Sequence, residues 1–96
     1  MRIYKTILID DERLAREELK LILTKFPQIE VIGEARNGEE GIEIISGLKP
    51  DLIFLDISMP GMTGFEMLKK LEHIPHVIFV TAYDQFALKA FEVNAL

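Results

Sequence analysis

The sequence lacks several features that would point to other classes of protein. It has no cysteine among its 96 residues, which excludes disulfides and thiolate chemistry and fits a reducing cytosol. No apolar stretch approaches the roughly 20 residues of a membrane span, and the apolar run at 7–9 is too short for a signal peptide. The net charge is −5, so we expect this chain itself to contact neither nucleic acid nor a membrane. These absences favour a cytoplasmic protein.

The sequence does contain a regular alternation of strand and helix patterns. Its 49% hydrophobic and 28% charged residues are ordinary for one globular domain. Apolar runs predict strands at 7–9, 29–35, 51–55 and 76–80, and amphipathic helical patterns follow them. This alternation predicts right-handed βαβ units with helices on both faces of a parallel sheet. We therefore expect an α/β fold, a flavodoxin-like doubly wound sheet of order 2-1-3-4, with a fifth strand to follow strand 4.

The helical patterns also predict caps and buried faces. Asn37 and Thr63 are expected to cap the second and third helices, and Glu66 gives Thr63 the capping-box spacing. Pro27 is expected to end the first helix, and a last helix is expected after Asp84. The predicted buried positions are Leu14, Ala15, Leu19, Ile22, Leu23 and Phe26 in the first helix, Ile42, Ile45 and Leu48 in the second, and Phe65, Leu68 and Leu71 in the third.

Acidic residues follow two of the strands that should be neighbours. Asp10 and Asp11 come after strand 1, Asp56 after strand 3 and Thr81 after strand 4. Adjacent strands lie about 4.8 Å apart, so these side chains should converge where open α/β sheets place their ligand sites. No Lys or Arg in these turns would neutralise the three carboxylates.

The repulsion among these acids must be relieved. Two like charges 4 Å apart cost about 4 kcal/mol at an effective dielectric near 20. Either one acid stays protonated or a divalent cation sits among them. An all-oxygen site open to water suits Mg²⁺ or Mn²⁺, and an Asp carboxylate is a known nucleophile for phosphoryl groups.

At these residues the chain resembles the response-regulator receiver domain of two-component signalling. Three segments carry the resemblance, at 7–12 (ILIDDE), 50–64 (PDLIFLDISMPGMTG) and 80–82 (VTA). Their order and spacing match the family, and the resemblance covers the whole chain. Each segment alone is weak evidence, whereas the three together are specific.

The resemblance implies a role for each site residue. Asp56 would accept a phosphoryl group from a phosphohistidine of a sensor histidine kinase. Asp10, Asp11, Asp56 and the backbone carbonyl of Ser58 would hold Mg²⁺. Thr81 would be the switch hydroxyl, with small Ala82 leaving room for the phosphoryl group. Ser58 and Tyr83 would tune the rate of dephosphorylation. Such a domain is a phosphoacceptor that assists its own phosphorylation and dephosphorylation, not a conventional enzyme.

The segment 79–96 narrows the resemblance to the LytTR subfamily, in which a receiver precedes a DNA-binding output domain that regulates transcription. The family also expects a fifth strand, a phosphate-pairing Lys followed by Pro, and a fifth helix, none of which appears by Leu96. We therefore expect residues 1–96 to form a receiver domain that is incomplete at its carboxyl terminus. The fourth strand would then be an exposed edge, so a homodimer through that strand or the last helix is expected.

Other functions fit parts of the pattern. A Mg²⁺-dependent phosphatase with an aspartyl nucleophile usually has a second acid two residues later, where this chain has Ser58. A flavodoxin-like FMN carrier needs a Ser/Thr/Gly loop after strand 1. A receiver-like module that binds partners without phosphorylation stays open, because the phosphate-pairing Lys is absent. The plain interpretation of the acids at 10–12 is that they suit the positive end of the first helix.

Overall fold

A computed structural model describes residues 1–80 of the chain. Strands and helices alternate in the predicted order: β1 (Tyr4–Ile9), α1 (Arg13–Leu23), β2 (Ile29–Ala35), α2 (Gly38–Leu48), β3 (Leu52–Asp56), α3 (Gly64–Lys69) and β4 (His76–Val80). Within these residues the strands form one parallel sheet of order β2-β1-β3-β4. The predicted α/β architecture and strand order are confirmed. The helix predicted after Asp84 lies outside the described residues.

The sheet is covered on both faces. On one face, Ile7 and Ile53 of the sheet pack with Ile45 of α2 and Met67 of α3. On the opposite face, Leu8 and Phe54 of the sheet pack with Leu23 of α1. Complete burial of an aliphatic side chain contributes about 1.5–3 kcal/mol, so the inner strands β1 and β3 anchor the fold. No helix within residues 1–80 is both long and apolar enough to cross a membrane.

A register shift changes which side chains of β2 face each helix layer. Thr6 pairs with Val31, but the next residue, Ile7, pairs with Gly33, so Ile32 is an extra residue in the β2 strand. An extra residue exchanges the two faces for everything that follows. Val31 accordingly packs on the α1 face, whereas Ala35 lies in the cluster beneath α2.

Two helices begin at the predicted caps. The Asn37 side chain accepts a hydrogen bond from the Glu40 N–H at 2.8 Å. Thr63 and Glu66 form the expected capping box, with the Glu66 N–H donating to Thr63 Oγ1 at 3.1 Å and the Thr63 N–H to Glu66 Oε1 at 2.9 Å. The third helix start differs: Glu12 is the N-cap residue of α1, and its side chain makes no cap hydrogen bond.

The buried faces of all three helices were predicted only in part, and in α2 the predicted buried residue Leu48 is 48% exposed. Leu23 is buried, but Leu14 is 70% exposed, because nine positions of about 100° each place it half a turn from Leu23. Ile22 and Phe26 are also exposed, and α1 ends at Leu23, before Pro27. In α3 the Phe65 ring is 48% exposed although it packs 5.1 Å from the Phe79 ring. Leu71 lies beyond the end of that helix.

Candidate functional site

Asp56 is the last residue of β3, the strand whose preceding residues 52–55 are all buried. Its own side chain is half-buried, at the edge where the strand meets solvent. The Ser58 N–H donates to Asp56 Oδ1 at 3.2 Å, which fixes one carboxylate oxygen and leaves the second free for other partners. The β3–α3 turn therefore presents a fixed carboxylate at the carboxyl edge of the sheet.

The acids after β1 meet Asp56 at this edge. Ile9 pairs with Leu55 in the parallel register, so Asp10 and Asp11 come off the sheet beside Asp56. One carboxylate oxygen from each of the three acids lies within 4.8 Å of the other two. Within residues 1–80 no other such group of acidic or histidine side chains is found. The convergence predicted for Asp10, Asp11 and Asp56 is confirmed.

Three hydrogen bonds hold Asp10 in place. Its N–H donates to the Ala35 carbonyl at 3.0 Å, and its Oδ1 accepts from the Glu12 N–H at 2.9 Å. Its own carbonyl accepts from Arg16 Nη1 at 2.6 Å. Asp10 is thus held at main chain and side chain, whereas Asp11 is exposed.

The protonation of these acids is strongly shifted. Desolvation, and next the negative charge of Asp10, raises the pKa of Asp56 to about 7. Desolvation also raises the pKa of Asp10, opposed by its bond from the Glu12 N–H and reinforced by the charge of Asp11. Without a cation, the site resists carrying all of its negative charge at neutral pH. Perturbed carboxylates in a partly buried cluster are typical of functional sites.

The donor set suits a small hard cation. All three side chains offer carboxylate oxygens, which Mg²⁺ and Mn²⁺ prefer over nitrogen or sulfur. One carboxylate oxygen of each acid lies within 4.8 Å of the other two, so all three side chains can approach one small cation. The three acids therefore fit such an ion. The role of the Ser58 carbonyl as a further ligand stays a prediction.

Sequence reasoning missed a basic side chain at this site. Arg16 reaches back from α1 to the Asp10 carbonyl, and its Nε donates to Glu34 Oε1 at 2.9 Å. The turns themselves contain no Lys or Arg, as noted from the sequence, but α1 supplies the Arg16 guanidinium. The reach is typical of helical side chains, which point toward the amino terminus of their helix.

The structure describes only some of the other residues singled out from the sequence. Thr81, Ala82 and Tyr83 lie outside the described residues. Met59 and Met67 are buried in the core as expected, and His73 and His76 are exposed.

Comparison with known proteins gives the family. The chain matches the model of the response regulator receiver domain over residues 6–96. It therefore belongs to this family, as the three sequence segments predicted.

Individual relatives extend this result. The chain is 59% identical over 91 residues to an uncharacterized response regulatory protein of Vibrio cholerae, covering 93% of this chain and 38% of that protein. It is 47% identical to the transcriptional regulatory protein BtsR of Escherichia coli, with 95% and 39% covered. It is 48% identical to the sensory transduction protein LytT of Bacillus anthracis, with 96% and 39% covered. BtsR and LytT are of the LytTR type that segment 79–96 predicted.

The chain thus spans about two fifths of the length of these relatives. Among solved structures it resembles the response regulator domain of CheB from Thermotoga maritima. The TM-score is 0.78 at 32% identity, with 99% of this chain and 75% of that one covered. The flavodoxin-like receiver fold is therefore supported by both sequence and structure.

Proposed function

We propose that this chain is a signalling receiver in which Asp56 accepts a phosphoryl group from the phosphohistidine of a sensor histidine kinase. The observation that carries the proposal is the convergence of Asp10, Asp11 and Asp56 within 4.8 Å at the carboxyl edge of the sheet. Membership of the receiver family supports it. Asp56 lies at the end of a buried strand, so the carboxylate is presented on a rigid element.

In the proposed step, one ionised oxygen of Asp56 attacks the phosphorus of the phosphohistidine. The bond between phosphorus and the imidazole nitrogen breaks, and the imidazole leaves with the electron pair and takes up a proton. Asp56 becomes an acyl phosphate, which water later hydrolyses to restore the carboxylate and release phosphate. Asp56 accepts the group and is not a turnover catalyst for a separate substrate, so the chain is not a conventional enzyme.

The cation proposed for the site is Mg²⁺ or Mn²⁺, held by Asp10, Asp11, Asp56 and the Ser58 carbonyl. When bound, it would supply positive charge against the acids and the phosphoryl oxygens. Asp10 and Asp11 would orient it, since Asp10 is fixed at its N–H, its carbonyl and its carboxylate. Thr81 is proposed as the switch hydroxyl that binds the aspartyl phosphate, and the small Ala82 beside it in sequence is proposed to leave room for the phosphoryl group. Ser58 and Tyr83 are proposed to tune the phosphate lifetime.

The proposed setting is cytoplasmic, with transcription as the output through a DNA-binding domain outside residues 1–96. The support is the relative named a transcriptional regulatory protein, of which this chain matches 39%. We propose residues 1–96 as part of one receiver domain, which the family match over residues 6–96 supports. This chain itself is proposed to contact neither nucleic acid nor membrane.

A homodimer through β4 or the helix predicted after Asp84 is also proposed. Within residues 1–80, β4 pairs with β3 on one side and has no strand on the other, and such edges are templates for pairing. Sedimentation at increasing protein concentration tests this, and a monomer mass at the highest concentration would contradict it.

The test of phosphorylation is intact-mass analysis after incubation with Mg²⁺ and acetyl phosphate. We expect wild type to gain one labile phosphoryl group and Asp56→Asn to gain none. Asp51→Asn is the matched control, because Asp51 precedes the same strand at its opposite end, and it should be modified like wild type.

The remaining outcomes separate the alternatives. An adduct on Asp56→Asn equal to that on wild type would move the acceptor elsewhere. No adduct on any variant, with the fold intact, would favour the module that binds partners without phosphorylation. Continuous release of phosphate from added phosphomonoesters would instead favour the phosphatase.

A further inference from the structure

The guanidinium of Arg16 joins two parts of the molecule that are distant in sequence. Its Nη1 donates to the Asp10 carbonyl at 2.6 Å, and its Nε donates to Glu34 Oε1 at 2.9 Å. The side chain is 14% exposed, and that of Glu34 is 32% exposed. A planar guanidinium holds two acceptors in one rigid geometry, whereas the donors of an ammonium rotate at the end of a flexible stem.

Glu34 can serve as the anchor because the sheet and a second cation fix it. It pairs with Leu8 on the central strand β1, and Lys20 Nζ donates to its Oε2 at 2.9 Å. The extra residue in β2 turns Glu34 toward α1; simple alternation from Val31 would have turned it away. The contact between Arg16 and Glu34 therefore depends on this irregularity of the strand.

Electrostatics alone does not explain a partly buried cation here. A positive charge next to Asp10 repels a divalent cation at the same site, and Glu34 offsets that repulsion only in part. If Arg16 acted through its charge, its removal would strengthen cation binding. If it acted by holding the main chain of Asp10, its removal would weaken binding. The two roles predict opposite signs.

We propose that Arg16 is a positioning residue, which ties the Asp10 carbonyl to Glu34 and thereby sets the place of the Asp10 carboxylate for a divalent cation. This inference rests on the proposed function. The bonds of Asp10 to the Ala35 carbonyl and the Glu12 N–H do not involve Arg16, whereas the Asp10 carbonyl accepts its bond from Arg16. Residues that orient metal ligands typically contribute about 10–100-fold to metal affinity.

The test is titration of the 96-residue chain with MgCl₂ at constant ionic strength, followed through the amide NMR signals of residues 10, 11 and 56. We expect Arg16→Met to weaken Mg²⁺ binding by about tenfold or more. Arg16→Lys should also weaken it, because a flexible ammonium does not reproduce the rigid spacing of Nε and Nη1 although the charge is kept. Lys25→Met is the matched control, since it also removes one positive charge, at an exposed position after α1, and Lys25 is not among the side chains bonded to Asp10 or Glu34; its affinity should stay close to that of wild type.

The outcomes distinguish this inference from the proposed function. Equal or tighter Mg²⁺ binding by Arg16→Met would overturn the positioning role, as would full affinity in Arg16→Lys. Thermal unfolding of each variant reports on folding separately, and if Arg16→Met does not fold, Arg16→Lys decides. Wild type that binds no Mg²⁺ and gains no phosphoryl group would overturn the proposed function itself. Wild type that does both while the Arg16 variants match it would overturn only the inference.

Discussion

At the scale of single residues, the acidic site combines two opposing needs: the proposed reaction needs an ionised Asp56, whereas the stability of the fold is lowered by the repulsion among ionised acids. In the proposed reaction Asp56 must be ionised to attack phosphorus, yet desolvation and then the charge of Asp10 raise its pKa to about 7. The same closeness that lets the acids share a cation makes them repel each other without one. The folded protein therefore carries an unfavourable interaction at its proposed reaction centre.

This repulsion predicts how stability depends on pH. The ordinary pKa of Asp56 is 3.8 and its folded pKa is about 7, so the folded state binds more protons between these values. Stability should therefore fall as pH rises from about 4 to about 7 in the absence of divalent cations. Asp56→Asn removes this loss, and we expect its Tm to exceed that of wild type clearly at pH 7.5 and little at pH 4. Thermal melts by circular dichroism at both pH values check this; a Tm difference independent of pH would contradict it.

Single residues also show what the sequence could reveal of the site. Asp10, Asp11 and Asp56 were predicted because each follows an apolar run that fixes where its strand ends. Arg16 was not predicted, because its partner Glu34 is 18 positions away and lies on the α1 face only through the irregular register of β2. The adjacent Val31 and Ile32 were the visible signal, since they break the alternation of that strand.

At the scale of elements, the start of α3 is pressed against the end of β3. A Cβ atom at position 64 would lie 2.6 Å from the Asp56 carbonyl oxygen and 3.1 Å from Leu55 Cγ. The Gly64 N–H also donates to the Ile57 carbonyl at 2.9 Å. Glycine is therefore required where the helix approaches the end of β3.

Substitution of two helical glycines should have opposite effects. Gly64→Ala must displace backbone, and we expect it to lower the free energy of unfolding by about 1–3 kcal/mol. Gly47→Ala is the control in α2, where a Cβ atom would meet nothing within 4 Å, and it should raise stability by about 0.5–1 kcal/mol. Urea unfolding measures both. Equal effects of the two substitutions would show that the close approach at Gly64 is relieved without cost.

The capping box of α3 makes a separate prediction. Thr63→Ala removes the acceptor of the Glu66 N–H, and we expect a loss of about 1 kcal/mol in the free energy of unfolding. Ser46→Ala, at an exposed position inside α2, is the control and should cost nothing. A Thr63→Ala variant as stable as wild type would mean that water replaces the cap.

Elements were predicted well where patterns are local and less well where packing decides. Both caps and the strands β2 and β4 follow from short runs of sequence, and they were correct. The strand β3 is shifted by one residue from the predicted 51–55, and β1 begins at Tyr4, three residues before the predicted run at 7–9. The predicted burial of Leu14 and Phe65 was wrong, because helical spacing shows which residues share a face but not how much of that face the sheet covers.

At the scale of the whole molecule, a cation at the acidic site should stabilise the entire fold. A ligand that binds only the folded state adds about 2.7 kcal/mol at a concentration of 100 times its Kd. We expect Mg²⁺ to raise the Tm of wild type at pH 7.5, and to raise that of Asp11→Asn less, because one carboxylate ligand is lost. Melts with MgCl₂ are compared with NaCl of equal ionic strength, and an equal rise in the two salts would argue against a specific site.

The buried strand β3 also has a kinetic consequence. Its residues 52–55 are buried, and it pairs with β1 on one side and β4 on the other. Its amide protons should therefore exchange with solvent deuterium only when the whole domain opens. Asp56 is joined directly to this slowest-exchanging segment, so its position would persist as long as the fold does. Any motion that follows phosphorylation would then belong to the surrounding loops, while the acceptor itself stays still.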